Sequence, residues 1–456
     1  MRRALFLVGA PLPFAFAAAC ASSEAEPSLS SPAPDVSTLV DAGPLEAAAS
    51  PPSSDGGFDG DAASACSAAG WCATALPGVD LVLKDIWPLA NGNVAFAIAE
   101  SPTIGVKVLA WNKASDAWTY IDDETQNEPG YGKYAGGIWA ADETDVYFTV
   151  APATVYHGTR PDPSAPFTWE RATLPDLSPH DPNARGVEPH DHGNPMNAVR
   201  ESSYSTLGVW GTSKTDVYAW YANAVFRRIV DKGGAAVWEP EYVADDVDVD
   251  ENPEIVEHIY FTGATGSASD GVWFSGVRDR FPYGSSCPLL VKKVEKGYVR
   301  LGDGTLAGGG GKGGGCEPRE ETSLLGGDGW LTDIQLVGPE RLFGLKGRAV
   351  LRLEPGKGGY AVDVSEVPMS VTAFKSGMTS LWTSVDGAAE EVWLSGFGLV
   401  VRGTDIWGKD TSKSYGISTI SLNGAPTARP VHRVRGTSPH DLWTVGANHA
   451  LHKTTP

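Results

Sequence analysis

The chain has 456 residues and a net charge of −21, set by 56 acidic against 35 basic side chains. It shows no basic footprint for a nucleic-acid partner, and its acidity suits the solubility of an exported protein. No apolar run of about 18 residues follows the N-terminus, which excludes an internal helical membrane span, while 54 glycines and 33 prolines favour short strands joined by turns.

Met1-Arg2-Arg3 forms a positive n-region. Ala4 to Ala19 is uncharged and mostly apolar, ending in the small residues Ala17-Ala18-Ala19. This is the pattern of a secretory leader spanning residues 1–19. Ala17-Ala18-Ala19-Cys20 resembles the lipobox of bacterial lipoproteins, with Ala17 where that family usually carries Leu. The resemblance implies a diacylated Cys20 as the first mature residue and a Gram-negative source. Ala21-Ser22 carry no retention Asp, so it further implies anchoring to the outer membrane or cell surface. Cleavage after Ala19 without lipid, giving a soluble periplasmic or extracellular protein, is the alternative.

Residues 20–65 are rich in Ala, Ser, Pro, Asp and Gly, as in Ser50-Pro51-Pro52-Ser53-Ser54-Asp55-Gly56-Gly57. They hold too little apolar surface to offset the entropy of ordering, which predicts a disordered tether. If flexible, such a tether spans roughly 40 Å.

From residue 66 onward the sequence repeats. Gly137-Ile138-Trp139-Ala140-Ala141-Asp142-Glu143-Thr144-Asp145-Val146-Tyr147 matches Gly208-Val209-Trp210-Gly211-Thr212-Ser213-Lys214-Thr215-Asp216-Val217-Tyr218. Arg433-Val434-Arg435-Gly436-Thr437-Ser438-Pro439-His440-Asp441-Leu442-Trp443 is a third copy. In each, an Asp falls six residues after the central marker and an aromatic two residues after the Asp. Degenerate copies centre on Trp87, Tyr260, Gln335 and Trp382. The seven markers are therefore 87, 139, 210, 260, 335, 382 and 435, spaced 47 to 75 residues apart. Blades of a β-propeller repeat every 40 to 50 residues or so before insertions, so the spacing predicts seven four-stranded blades over residues 66–456. In the third unit the strands are expected at 207–211, 217–221, 224–229 and 237–243, where β-branched and aromatic residues concentrate.

The last unit runs out after its third strand, at Lys453-Thr454-Thr455-Pro456. Gly70-Trp71-Cys72-Ala73-Thr74-Ala75-Leu76-Pro77 looks like the fourth strand of unit two, Phe167 to Pro175. An N-terminal strand is thus expected to complete the last blade and close the ring, leaving no open edge. The repeat resembles the tryptophan-rich V-W-G-x-S-x-x-D-V-W/Y propellers of bacterial, especially myxobacterial, surface lipoproteins. Val209-Trp210-Gly211 with Val225-Phe226-Arg227-Arg228 is more distantly similar to tectonin-type lectin propellers.

The long insertions, 122–133, 175–205, 244–254 and 302–329, all join a fourth strand to the next first strand. In a propeller these connections share one face with the second-to-third turns. Long loops in a compact fold often carry function, which makes this face the expected binding surface. Of five cysteines, Cys20 is assigned to lipid, leaving four. An even number in an exported chain implies disulfides, and three pairings are open. Cys287 and Cys316 fall on the insertion face of one blade, and Cys66 and Cys72 on the opposite face, so these two pairs are favoured.

The densest polar cluster runs from Pro179-His180-Asp181 to Glu188-Pro189-His190-Asp191-His192-Gly193-Asn194. His190 and His192 at i, i+2 with His180 or Asp181 form a candidate zinc-type site, and an open position there would permit hydrolysis. No H-E-x-x-H pattern accompanies them. Asp246, Asp248 and Asp250 alternate as calcium ligands do, although the glycine of a calcium loop is absent. Gly308-Gly309-Gly310-Gly311-Lys312-Gly313 lacks the Ser or Thr and the helix of a phosphate loop, and no G-x-S-x-G elbow occurs. Trp220, Trp330 and Trp407 stand outside the repeat and are candidates for ligand stacking. No catalytic residue is assigned. The sequence supports a non-enzymatic module binding a protein or glycan at the insertion face. The alternative is a metal-dependent hydrolase or lyase using His180, His190 and His192.

Overall fold

The computed structural model describes residues 66–128, 134–178, 206–247, 256–281, 285–306, 315–357, 359–371, 377–386, 389–408, 413–421 and 427–455. Seven four-stranded antiparallel sheets form the blades, with one extra two-stranded hairpin. The innermost strands are Val82–Pro88, Ala135–Asp142, Leu207–Ser213, Val256–Ser267, Leu331–Gly338, Ser380–Asp386 and Val431–Ser438. Each packs beside the next, and the last packs beside the first, so the ring is closed. Blade three, with strands Leu207–Ser213, Asp216–Tyr221, Ala224–Val230 and Ala236–Val243, follows the expected segments to within two residues.

The repeat now has a physical reading. The residue before each marker is a branched aliphatic (Ile86, Ile138, Val209, Ile259, Ile334, Leu381 or Val434) and is buried in every blade. In blades one, five and six the residue before that ties neighbouring blades together. Asp85 accepts the Ile138 N–H at 3.2 Å, Asp333 accepts Leu381 N–H at 2.9 Å, and Ser380 accepts Val434 N–H at 2.7 Å. In each case a side chain satisfies an inner-strand donor of a following blade that would otherwise be buried unpaired.

The repeated acid is more than a turn former. Tyr147 stacks on His157 with centroids 4.1 Å apart, and the His157 ring lies 3.4 Å from Asp145. Trp443 stacks on His452 at 3.9 Å, and His452 bonds Asp441 at 2.7 Å. Arginine takes the place of histidine in two other blades, as Arg227 beside Asp216 and Tyr218, and Arg402 beside Glu391 and Trp393. An acid and an aromatic on the second strand thus hold a cationic or imidazole side chain on the third.

The N-terminal strand Trp71–Ala73 pairs with His449–Lys453, aligning Trp71 with Lys453 and Ala73 with Leu451. It supplies the missing fourth strand of blade seven. Trp71 is buried edge-on against Trp393 at 6.0 Å and donates its indole N–H to Ser418 at 2.9 Å. Both favoured disulfides are present, Cys66–Cys72 and Cys287–Cys316. No helix among the described residues is long and apolar enough to cross a membrane.

Candidate functional site

The fourth-to-first connections and the second-to-third turns leave the propeller on one face, as the strand order requires. Where described, this face is built rather than loose. In blade one, Asp122 and Glu124 hold the Lys107 ammonium at 3.2 and 2.9 Å, and buried Gln126 donates to the Val106 carbonyl and to Asp122.

Blade four carries the most elaborate part. Its strands Val256–Ser267, Gly271–Phe281 and Ser285–Val294 are longer than those of the other blades. The segment expected as a plain loop over 302–329 contains a hairpin, Gly304–Leu306 against Cys316–Pro318. The Cys287–Cys316 disulfide ties that hairpin to the sheet. Beneath it lies Arg278, fully buried, which donates to Glu257 and to both oxygens of Asp303, each at 3.0 Å. Asp246 completes the network, accepting from Arg278, Arg300 and Arg319. Burial raises the Asp246 carboxyl, but the Arg300 hydrogen bond and the charges of Arg300, Arg278 and Arg319 outweigh it and bring it down to about 2. Three arginines meet three carboxylates, so the network is locally neutral and braces a shallow groove lined by Tyr298, Arg300, Thr305, Arg319 and Thr322.

Between blades four and five, Trp330 stacks on Tyr260, with centroids 6.0 Å apart. Asp279, opposite His258 in the ladder, accepts from Trp330, and burial pushes its carboxyl up to about 6.

At the axis, Arg433 of blade seven reaches Asp85 of blade one at 2.9 Å and Asp333 of blade five at 3.1 Å. This one side chain therefore braces three blades. Arg435, two residues on, sits 5.3 Å from the centre of the Trp87 ring. Its ion pair to Asp85 is long, at 3.7 Å, and its buried Nε–H has no hydrogen-bond partner among the described residues. Burial and the adjacent Arg433 charge hold Arg435 below the usual arginine range.

Large exposed apolar side chains concentrate on the insertion face. Val79, Ile104, Tyr120, Met369 and Phe397 lie in or at the ends of its connections. Val230 lies at the opposite face, and Val299, Val364 and Ile417 lie on outermost strands.

The sequence candidates divide. His180, Asp181, His190, His192, Asp248 and Asp250 lie outside the described residues. Asp246 is described, and its carboxylate is engaged by the three arginines. No group of three metal-ligating side chains occurs among the described residues. Trp220 is not a stacking platform. It is buried in the core between blades three and four, where only a glycine at 208 leaves room for its ring. Trp407 packs on Phe343 at 5.6 Å beneath Arg352 and donates to Glu390, so its ring is also engaged internally. Sequence reasoning missed Arg433 and Arg435, although an Arg replacing the marker aromatic in the seventh unit was a visible signal.

No family model and no curated protein matches the sequence. Among solved structures the chain is similar to YCF48 bound to D1 peptide, at 12% identity and TM-score 0.47, over 85% of this chain and 96% of that one. YCF48 from Cyanidioschyzon merolae is similar at 11% identity and TM-score 0.49, over 85% and 99%. A polysaccharide lyase of family PL25, an ulvan lyase, is similar at 10% identity and TM-score 0.45, over 84% and 95%.

Proposed function

We propose that this chain is an exported, lipid-anchored propeller that binds a protein or glycan through its insertion face. The observation that carries this reading is the gathering of Val79, Ile104, Tyr120, Met369 and Phe397 on that face. Exposed apolar side chains set among polar ones are what binding surfaces present, and single ones scattered elsewhere need no such account. The braced blade-four hairpin supports the same reading, because a rigid surface loses less entropy when it binds.

Export is supported by the leader-like residues 1–19 and by two disulfides, which persist in oxidising compartments. In this proposal Cys20 carries the lipid, residues 21–65 are the tether, and the repeat is of the myxobacterial surface-lipoprotein type. The chain enters blade seven through a strand that starts at the face opposite the insertions, which suits a binding face pointing away from the membrane.

Two experiments test this. Peptide and glycan arrays are probed with the mature protein, with a Val79→Ser, Ile104→Ser, Phe397→Ser variant, and with Val230→Ser. Signals lost only in the triple variant, at unchanged melting, support the reading; signals shared by all three proteins sink it. Labelled palmitate should enter the wild-type chain and not Cys20→Ser, and an unlabelled wild type removes the anchor from the proposal.

A further inference from the structure

Five of the seven markers on the innermost strands, Trp87, Trp139, Trp210, Tyr260 and Trp382, are aromatic, and Gln335 and Arg435 are the exceptions. Gln335 substitutes by bonding the next blade twice, donating to Thr383 O at 2.9 Å and accepting Thr383 N–H at 2.7 Å. Arg435 does neither. Its neighbour Arg433 takes the structural role, occupied by Asp85 and Asp333. Both carboxylates are also engaged by backbone N–H groups, of Ile86 and Ile138 for Asp85, and of Ile334 and Leu381 for Asp333. Asp85 therefore has little left to offer Arg435, which stays at 3.7 Å.

The Arg435 Nε–H is buried on the side of Asp85, whereas the side chain as a whole is 23% exposed, so solute meets the guanidinium from its outer edge. Local rules that a fold obeys elsewhere tend to fail at functional positions. We propose that Arg435 is the anchor of an axial site for a carboxylate ligand, held bidentate on its guanidinium with the Trp87 ring fixing the plane of the fork.

The charge balance selects the class. Arg433, Arg435, Asp85 and Asp333 sum to zero, so a monoanion adds one negative charge directly against Arg435. A phosphate dianion would bring a second negative charge towards Asp85 and Asp333. The planar carboxylate also matches the fork in geometry. This site is separate from the insertion face, and its test is independent of that reading.

The probes are galacturonate and N-acetylglycine, which carry the carboxylate on a sugar and on a peptide end, with galactose and inorganic phosphate as controls. Ligand-observed NMR titration of the full mature protein should show saturable binding of at least one acid, with phosphate weaker and galactose silent. Arg435→Gln should weaken the binding by about tenfold or more, while the Val79→Ser, Ile104→Ser, Phe397→Ser variant leaves it unchanged. On the wild type, phenylglyoxal should modify Arg435, and the bound acid should protect it while leaving Arg402 reactive. That second readout decides the matter if Arg435→Gln fails to fold. Absence of saturation by both acids, phosphate binding tighter than either, equal binding by a folded Arg435→Gln, or no protection of Arg435 would each overturn the proposal.

Discussion

The Trp139 indole of blade two lies against Gly211 of blade three, so closely that a Cβ at position 211 would stand 2.9 Å from its ring and 2.9 Å from the Asp216 carbonyl. The same contact recurs between Trp382 and Gly436, at 3.2 Å from the Cβ position. The Trp-Gly pair of the repeat is thus two halves of different interfaces. The Trp of one copy needs the Gly of the next.

Gly211→Ala should therefore destabilise the protein by about 1–3 kcal/mol through overpacking against backbone and a ring that has nowhere to move. Gly416, with open space around its Cβ position and no positive φ, is a control for chain entropy alone. Denaturant midpoints of the two variants separate the effects: a Gly211→Ala loss no larger than that of Gly416→Ala would refute the interblade contact.

The fourth strand of blade seven has three residues, and Trp71 is the one that is fully buried. Trp71→Ala should cost about 3–5 kcal/mol, the range for deleting a fully buried large aromatic. Because the strand closes the ring, limited proteolysis of this variant should cut first within blade seven. Uniform cleavage around the ring would contradict a local role.

Much of this architecture was legible beforehand. Trp139, Trp210 and the aromatics after Asp145, Asp216 and Asp441 fixed the blade register, because a repeat that packs against copies of itself must keep its contact residues in phase. The closing strand was legible because Gly70 to Pro77 repeats the fourth-strand pattern of Phe167 to Pro175. Third-strand partners were not. Nothing marks His157, Arg227, Arg402 and His452 as a set, since two residue types serve the same acid and aromatic. Arg278 was equally silent, as its three acids lie 21 to 32 residues away along the chain. Trp220 looked free only because it falls outside the repeat, and its burial depends on Gly208, a residue whose role is to be small.

The two disulfides should differ in worth. Cys287–Cys316 closes a separation of 29 residues and Cys66–Cys72 one of 6. Loop-closure entropy then gives about 3.5 kcal/mol for the first and about 2 kcal/mol for the second. Paired Cys→Ser variants compared by chemical denaturation should show the larger loss at 287/316. A larger loss at 66/72 would mean that strand geometry at the ring closure outweighs chain entropy.

Arg278 should be the most sensitive charged residue in blade four. Arg278→Met keeps the volume but strips buried Glu257 and Asp303 of the guanidinium they share, leaving Asp303 with Arg300 on its outer side. A loss of about 3–5 kcal/mol is expected. If the stranded acids are the cause, acidification should recover part of the loss in the variant while destabilising the wild type. Parallel pH profiles for the two proteins would place the cost in packing instead.

Asp279 should work in the opposite sense to the paired carboxylates. Burial lifts its folded-state value to about 6, from 3.8 for a free side chain. The folded protein then holds a proton between those values that the unfolded chain has lost, so this group makes stability fall as pH rises from about 4 to 6 and leaves a constant penalty above. The shift corresponds to about 1–3 kcal/mol once residual solvent contact is allowed for. Asp279→Asn keeps an oxygen to accept the Trp330 indole N–H and removes the charge. The variant should be more stable than the wild type at pH 7 and equal to it near pH 4, as read from melting temperatures across that range. A variant that is less stable at pH 7 would mean that the ionised carboxylate is held by favourable contacts, which would reverse the reading of this corner of blade four.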